Sequence, residues 1–289
     1  MRAALHLIPS AFAAILFTAM ILLAQPPEGR GGPGSELLRQ GTQLDLQGKG
    51  VEARALFQKA IDSAPTPAAR ANAQRAMAMS WAFDGDCKKT VQYEDLVIDY
   101  WKTQETASPE RAYYQQGEMA NEAARVCIDN GDLNTAYELY KKGRDLGLRE
   151  PGIAPARKDL WDYRWEHAQA RIAARRGNKA EAAKHVAAAE TVLAGMQLND
   201  PKLHEQQAAF LPYLTGYVAL YTGDYRKALD DLRKANQNDA FILCLLGMTF
   251  EKLGDKTSAM EAYRKAASTE GHNPPAAFAR PFTAKKLGE

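Results

Sequence analysis

The sequence lacks the residue patterns that most often identify an enzyme. It has no glycine-rich phosphate loop ending in lysine and serine or threonine, no His-Glu-x-x-His motif and no Gly-x-Ser-x-Gly motif. Its 5 histidines are never three or four residues apart, the spacing that would place two of them on one face of a helix. We therefore predict a protein that is not an enzyme, with no metal site and no cofactor.

The chain also lacks a large excess of either charge. Its 37 basic and 35 acidic side chains leave a formal net charge of +2 over 289 residues. No overall positive field therefore draws the protein to nucleic acid. Recognition of a charged partner must depend on a local group of side chains.

The chain has few long apolar runs, and the clearest of them is at the N-terminus. Arg2 precedes an apolar stretch over residues 3–24, which is typical of a secretory signal peptide. The stretch is also long enough for the alternative, an uncleaved membrane anchor. Both interpretations predict an exported protein, periplasmic or extracellular. Residues 25–34 are rich in proline and glycine and are expected to form a flexible linker.

Glycine occurs at an ordinary frequency, with 21 in the chain, and several of these glycines are regularly placed. The stretches "TGDYRKALDDLRKA" and "LGDKTSAMEAYRKA" share a Gly-Asp pair and an alanine five residues after the glycine. The glycines that fit this pattern are Gly48, Gly85, Gly131, Gly177, Gly223 and Gly254. Three successive intervals are equal at 46 residues (131−85, 177−131 and 223−177). Self-similarity at such a period predicts a solenoid.

Each repeat is predicted to be an antiparallel pair of helices. The glycine suits a left-handed residue that ends the first helix. The acidic residue after it suits the N-cap of the second helix, as at Asp86, Asp132, Asp224 and Asp255. Small residues on both sides of the turn would let the two backbones approach closely. Pro109 and Pro201 are expected to begin elongated first helices that run to Asn130 and Thr222.

This pattern resembles the tetratricopeptide repeat family. The first repeat, "LLRQGTQLDLQGKGVEARALFQKAIDSAP", has its small and large residues at Gly41, Ala53, Phe57 and Ala60. The resemblance implies an all-α solenoid of about six helix hairpins over residues 35–271, with a C-terminal cap over residues 272–289. It also implies a non-catalytic interaction or scaffold module that binds a protein or peptide, and we expect a monomer.

In that family, ligands usually lie along the inner face formed by the first helices. The matching positions of this chain predict a concave groove, formed by Arg75, Asn121, Arg125, Arg164, His167, Arg171, Arg175, Tyr213, Tyr217 and Tyr221. Arginine binds carboxylate or phosphate through paired hydrogen bonds, and tyrosine adds flat apolar surface, so we expect an extended, anionic partner segment. In the alternative, Glu118, Glu122 and Glu166 neutralise the arginines and the tyrosines only pack.

Cysteine is scarce, with three in the chain. In a stack of parallel first helices, Cys87 and Cys127 fall at the same end of adjacent repeats, which predicts a disulfide between them in an oxidising compartment. The alternative is a pair of buried thiols. Cys244 is predicted to be free.

Two other functions compete with the interaction module. One is an enzyme whose site is dispersed over several helices, and the other is a structural spacer between envelope components that has no chemically distinct groove. The aromatic cluster of Trp161, Tyr163 and Trp165 could form a stacking platform for a carbohydrate or a base, but packing is the favoured interpretation.

Overall fold

The computed structural model describes residues 33–288, which form helices and no strands. The helices are α1 (Pro33–Leu46), α2 (Gly50–Asp62), α3 (Pro67–Phe83), α4 (Cys87–Lys102), α5 (Pro109–Asp129), α6 (Leu133–Gly147), α7 (Pro155–Arg175), α8 (Lys179–Asn199), α9 (Pro201–Ala208), α10 (Leu211–Tyr221), α11 (Tyr225–Leu232), α12 (Ala240–Lys252), α13 (Lys256–Ala267) and α14 (Pro274–Leu287). The expected leader at residues 1–24 lies outside the described residues.

Successive helices pack in pairs, and each pair packs on the next. The hairpins are α1–α2, α3–α4, α5–α6, α7–α8, α10–α11 and α12–α13. Each second helix also contacts the first helix of the following repeat, for example α4 with α5 and α6 with α7. The predicted all-α solenoid of helix hairpins is confirmed.

The turns within the hairpins are built as the repeat predicts. All six repeat glycines have a left-handed backbone, with φ between 71° and 88°. Each predicted aspartate accepts a hydrogen bond from the backbone N–H three residues later, as Asp86 does from Lys89 at 2.9 Å. Asn178 caps α8 in the same way. A left-handed glycine followed by a capping side chain therefore sets five of the six turns, whereas in the first hairpin Gly48 is followed by Lys49, which makes no side-chain cap.

Small residues let the helices of each hairpin approach closely. The residues five positions after the repeat glycines are all buried: Ala53, Thr90, Ala136, Ala182, Ala228 and Ala259. In the last hairpin, a Cβ at Gly247 would overlap the ring of Tyr263, which is fully buried. The position has room for glycine alone because the tyrosine fills the space beside it.

One predicted helix is wrong. The elongated helix expected from Pro201 to Thr222 is two helices, α9 and α10, separated at Ala209 and Phe210. The cause is Pro212, near the start of α10, which has no N–H and whose ring would clash with the carbonyl of residue 208 in a continuous helix. The other elongated helix, α5, runs unbroken from Pro109 to Asp129.

The aromatic cluster on α7 packs inside the protein. Trp161 is 0% exposed and Tyr163 is 2% exposed. Trp165 is half-buried, with its ring 5.4 Å from the ring of Tyr137. The packing interpretation is confirmed, and these rings offer no open stacking platform.

The last helix, α14, does more than cover the end of the stack. It packs on α12 and α13, where a cap is expected, and it also contacts α3 and α5 of the second and third repeats. The C-terminal segment therefore joins the end of the solenoid to its beginning. Within residues 33–288, no helix combines the length and the apolar character needed to cross a membrane.

Candidate binding site on the inner face

The first helices α3, α5, α7, α10 and α12 form what we call the inner face. The predicted groove residues lie on four of these helices, Arg75 on α3, Asn121 and Arg125 on α5, Arg164, His167, Arg171 and Arg175 on α7, and Tyr213, Tyr217 and Tyr221 on α10. Packing of α10 against α7 and α12 brings the basic and aromatic groups together.

Two of the predicted arginines are neutralised by glutamates of a neighbouring first helix, α5. Arg75 forms an ion pair with Glu122, and Arg164 forms one with Glu118 at 2.6 Å. Both arginines therefore bridge consecutive first helices. Glu166 instead accepts from His185, with 2.6 Å between Oε2 and Nδ1. Ion pairs within the protein therefore neutralise Arg75 and Arg164. The remaining arginines of the predicted groove have other partners.

Arg171 and Arg175 bind tyrosine hydroxyls in place of carboxylates. Arg171 is only 5% exposed and donates to the hydroxyl of Tyr140 at 2.7 Å and to that of Tyr213 at 3.1 Å. Arg175 donates to Tyr217 at 3.4 Å and lies 4.9 Å from the ring centre of Tyr221. Neutral partners hold the two guanidinium groups in place, and these hydrogen bonds do not neutralise their charge.

Arg125 adds a third positive charge beside them. It is half-buried, and its electrostatic neighbours include Tyr213, Tyr140, Asp239 and Arg171. We call this group the arginine–tyrosine cluster, which consists of Arg125, Arg171, Arg175, Tyr140, Tyr213, Tyr217 and Tyr221. The acidic groups that interact with it are Asp129 and Asp239. Three guanidinium groups against two carboxylates leave a surplus of positive charge.

Asp129 stands at the edge of this cluster in an unusual environment. Its Oδ1 atom is sealed from water and has no hydrogen-bond partner among the described residues. Burial raises the pKa of Asp129 to about 6, although Arg125, Arg171 and Arg175 act to lower it. Asp129 therefore takes up a proton at a higher pH than an ordinary aspartate, and once protonated it no longer offsets the arginine charge.

A pocket of about 260 Å³ opens beside Asp129, between α14 and the ends of α3 and α5. Its walls are mainly apolar and are formed by Ala82, Phe83, Asp84, Gly85, Val126, Asp129, Asn130, Pro274, Ala277, Phe278, Pro281 and Phe282. The pocket shows that α14 does not fill the space against the inner face completely.

His167 and Asn121 are packing residues in this structure. The ring of His167 lies between those of Tyr163 and Tyr213, at 5.9 Å and 5.3 Å. Burial lowers the pKa of His167 well below its ordinary value, and Arg171 and Arg125 lower it further, so its imidazole is neutral. Asn121 is 9% exposed and lies against Gly143. Neither residue contributes charge to the site.

Sequence reasoning missed Tyr140 and Asp129. Tyr140 lies on the second helix α6, in the column of large residues nine positions after the repeat glycine, and its hydroxyl reaches Arg171. Asp129 lies two residues before the turn at Gly131 and four residues after Arg125 on the same helix, α5. Tyr140 reaches Arg171 because α6 packs on α7. Within the described residues, no group of three or more histidine, cysteine or acidic side chains could hold a metal ion.

A second buried carboxylate lies nearby, at Glu94 on α4. It is 1% exposed, and both of its oxygens lack hydrogen-bond partners among the described residues. Burial raises the pKa of Glu94 well above its ordinary value, and the carboxylate of Glu122 raises it further. Folding therefore favours the protonated form of Glu94.

We predict a pH-dependent effect of Glu94→Gln. The unfolded chain loses the Glu94 proton above a pKa of about 4.3, whereas the folded protein retains it. The free energy of unfolding of the wild type therefore falls as pH rises from about 4.3 towards the raised pKa of Glu94 in the folded protein. Glutamine keeps the shape and cannot ionise, so the variant gains stability relative to the wild type as pH rises. Urea unfolding followed by circular dichroism at several pH values measures the difference. Glu138→Gln, at an exposed site on α6, is the matched control. A difference between Glu94→Gln and the wild type that stays constant with pH would contradict the prediction.

Comparison with known proteins gives one family match. A model of the tetratricopeptide repeat matches residues 242–272, which include most of α12 and all of α13. No curated protein matches the chain. The matched hairpin shares its left-handed glycine with all the hairpins before it and its aspartate cap with those capped by Asp86, Asp132 and Asp224. Residues 242–272 therefore match a tetratricopeptide repeat, and the hairpins before them share its paired-helix architecture.

Proposed function

We propose that the protein is an exported, non-catalytic interaction module that binds an extended, anionic segment of a partner protein on its inner face. Tetratricopeptide repeats are typical of protein–protein interaction modules, which supports a protein partner. The inference that the partner is anionic rests on the surplus positive charge of the arginine–tyrosine cluster.

The chemistry of the cluster suits a carboxylate-rich segment. A guanidinium group donates two parallel hydrogen bonds to a carboxylate, and such charge-assisted bonds are stronger than neutral ones. Arg125 and Arg175 are half-buried and retain exposed surface, whereas Arg171 is enclosed by tyrosines. We assign Arg125 and Arg175 to direct contact with the partner, and Arg171 to positioning the tyrosines and supplying charge.

Export is supported by the N-terminal sequence and by the cysteines. The apolar stretch over residues 3–24 has the composition of a secretory leader or an anchor, and it lies outside the described residues. Cys87 and Cys127 lie at disulfide-bonding distance, with their Cα atoms 4.9 Å apart. Disulfides persist in oxidising compartments such as the periplasm and the cell exterior, so a bond between them fits an exported protein.

Binding of a fluorescently labelled hexaglutamate peptide, measured by anisotropy, tests the proposed function. We expect the wild type to bind it with an affinity that falls as salt rises, because exposed charges are screened. The double variant Arg125→Gln/Arg175→Gln removes two charge-assisted contacts and should weaken binding by about tenfold or more.

Two controls make the result specific. Arg226→Gln removes an exposed arginine from the second helix α11 and should leave binding unchanged. A hexalysine peptide should not bind. Equal binding by the wild type and the double variant, or binding of hexalysine, would refute the proposed site.

A further inference from the structure

The inner face already has an occupant, which is the C-terminal helix α14. This helix contacts α3 and α5 at the beginning of the inner face and α12 at its end. These helices belong to repeats far apart in sequence, so α14 closes the solenoid across its own inner face.

Polar contacts anchor the start and the middle of α14. The Nε2 atom of His272 lies 2.8 Å from the Oδ2 atom of Asp45 in α1, and the His272 ring stacks on Phe83 with 5.5 Å between centres. Arg280 donates to the carbonyl of Thr269 at 2.9 Å and to that of Leu46 at 3.4 Å. The contacts with Asp45 and Leu46 join residues more than 220 positions apart.

The apolar side of α14 reaches the wall of the arginine–tyrosine cluster. Ala276 and Ala277 pack in one group with Met79, Ala82, Phe83 and Val126 of α3 and α5. Phe278 lies with its ring centre 4.9 Å from that of Phe241. Phe241 in turn stacks on Tyr217, which is fully buried. In this arrangement α14 lies against the outside of the cluster and restricts access to it.

Three features make α14 easier to release than the other helices. It is the last described helix, so it can leave without separating one repeat from the next. Pro281 lies inside it and has no N–H to donate to the preceding turn. The pocket of about 260 Å³ lies on its contact with α3 and α5, where the lining atoms lose packing partners. Elements with low local stability are those that move on binding.

We propose that α14 is an internal occupant of the inner face that is released when the anionic partner segment binds. This inference rests on the proposed function and adds a regulatory step to it. In the closed form α14 restricts access to the arginine–tyrosine cluster, although Arg125 and Arg175 retain part of their exposed surface. The apparent affinity for the partner is lower than that of the open form, because only a fraction of the molecules is open.

Hydrogen exchange on the full chain tests the release directly. In the wild type we expect the backbone amides of α14 to exchange at least about tenfold faster than those of α12, through local opening. Saturating hexaglutamate should speed α14 exchange further, because bound peptide keeps the helix released. A merely frayed chain end would not respond to the peptide, so unchanged or slower α14 exchange on peptide binding would overturn the inference.

A variant that weakens the contact of α14 gives a second test. Ala277 is 2% exposed, and Ala277→Gln places a larger, neutral, polar side chain in that contact. We expect this variant to bind hexaglutamate about fivefold or more tighter than the wild type, because its open fraction is larger. Ala183→Gln makes the same change at an exposed site on α8 and should bind as the wild type does.

The outcomes separate the two proposals. Equal affinity of the wild type and the Ala277→Gln variant, with weakened binding by Arg125→Gln/Arg175→Gln, would overturn the release of α14 and leave the binding site standing. If hexaglutamate bound none of these proteins, the proposed function would fail, and the release inference with it.

Discussion

Replacing Trp161 with alanine is expected to lower the free energy of unfolding by about 3–5 kcal/mol. The indole of Trp161 is 0% exposed. It fills space that a Cβ at Gly117 or Gly147 would occupy, and it lies 5.7 Å from the ring of Tyr114. Alanine would leave a cavity where α5, α6 and α7 meet. Chemical denaturation followed by far-ultraviolet circular dichroism measures the loss.

Trp165 provides a matched control for that experiment. It is the same residue type on the same helix, but it is half-buried and makes an edge contact with Tyr137. Trp165→Ala should therefore cost clearly less than Trp161→Ala. If the two variants unfolded at the same denaturant concentration, the assignment of Trp161 as a central packing residue would be incorrect.

Loss of the bond between Cys87 and Cys127 is expected to have an effect of similar size. The bond would close a loop between residues 40 positions apart, which contributes on the order of 3–4 kcal/mol by the chain-entropy estimate. Reducing agent should therefore shift the unfolding of the wild type to lower denaturant concentration. The double variant Cys87→Ser/Cys127→Ser should unfold near the reduced wild type and should not respond to reducing agent.

Thiol titration of the unfolded, unreduced protein provides an independent measure. We expect one reactive thiol, from Cys244, which is buried in the folded structure. Three thiols, together with the same stability in the presence and absence of reducing agent, would show that the protein contains no such bond.

Local features of the fold could be predicted from sequence because each depends on a few neighbouring residues. A glycine that takes a left-handed backbone and an aspartate that caps the next helix determine the turn by themselves. Ala136 and Ala228 are buried because a fixed distance from the turn places them at the crossing of two helices. The error at Pro212 arose because the long spacing between repeats was given more weight than a proline two residues into the helix.

Contacts between repeats were predicted only in part: the sequence named Glu118 and Glu122 as possible partners of the arginines, but not which arginine each would bind. The ion pairs Arg75–Glu122 and Arg164–Glu118 depend on how far each first helix is rotated against the next, whereas Arg171 meets tyrosines. The closure by α14 depends on the total curvature of the stack, because His272 and Asp45 lie 227 positions apart. Small changes in each repeat accumulate over that length, so the repeat pattern alone does not determine these contacts.

Hydrogen exchange mapped with and without hexaglutamate tests the central claim most directly, since it shows where the anionic segment lies. The proposed binding site predicts slower exchange in the first helices α5, α7 and α10, which contain Arg125, Arg175 and Tyr221. The second helices α8 and α11, which contribute no residue to the arginine–tyrosine cluster, should be unchanged. Protection confined to those second helices, or no protection anywhere at saturating peptide, would contradict an inner-face binding site.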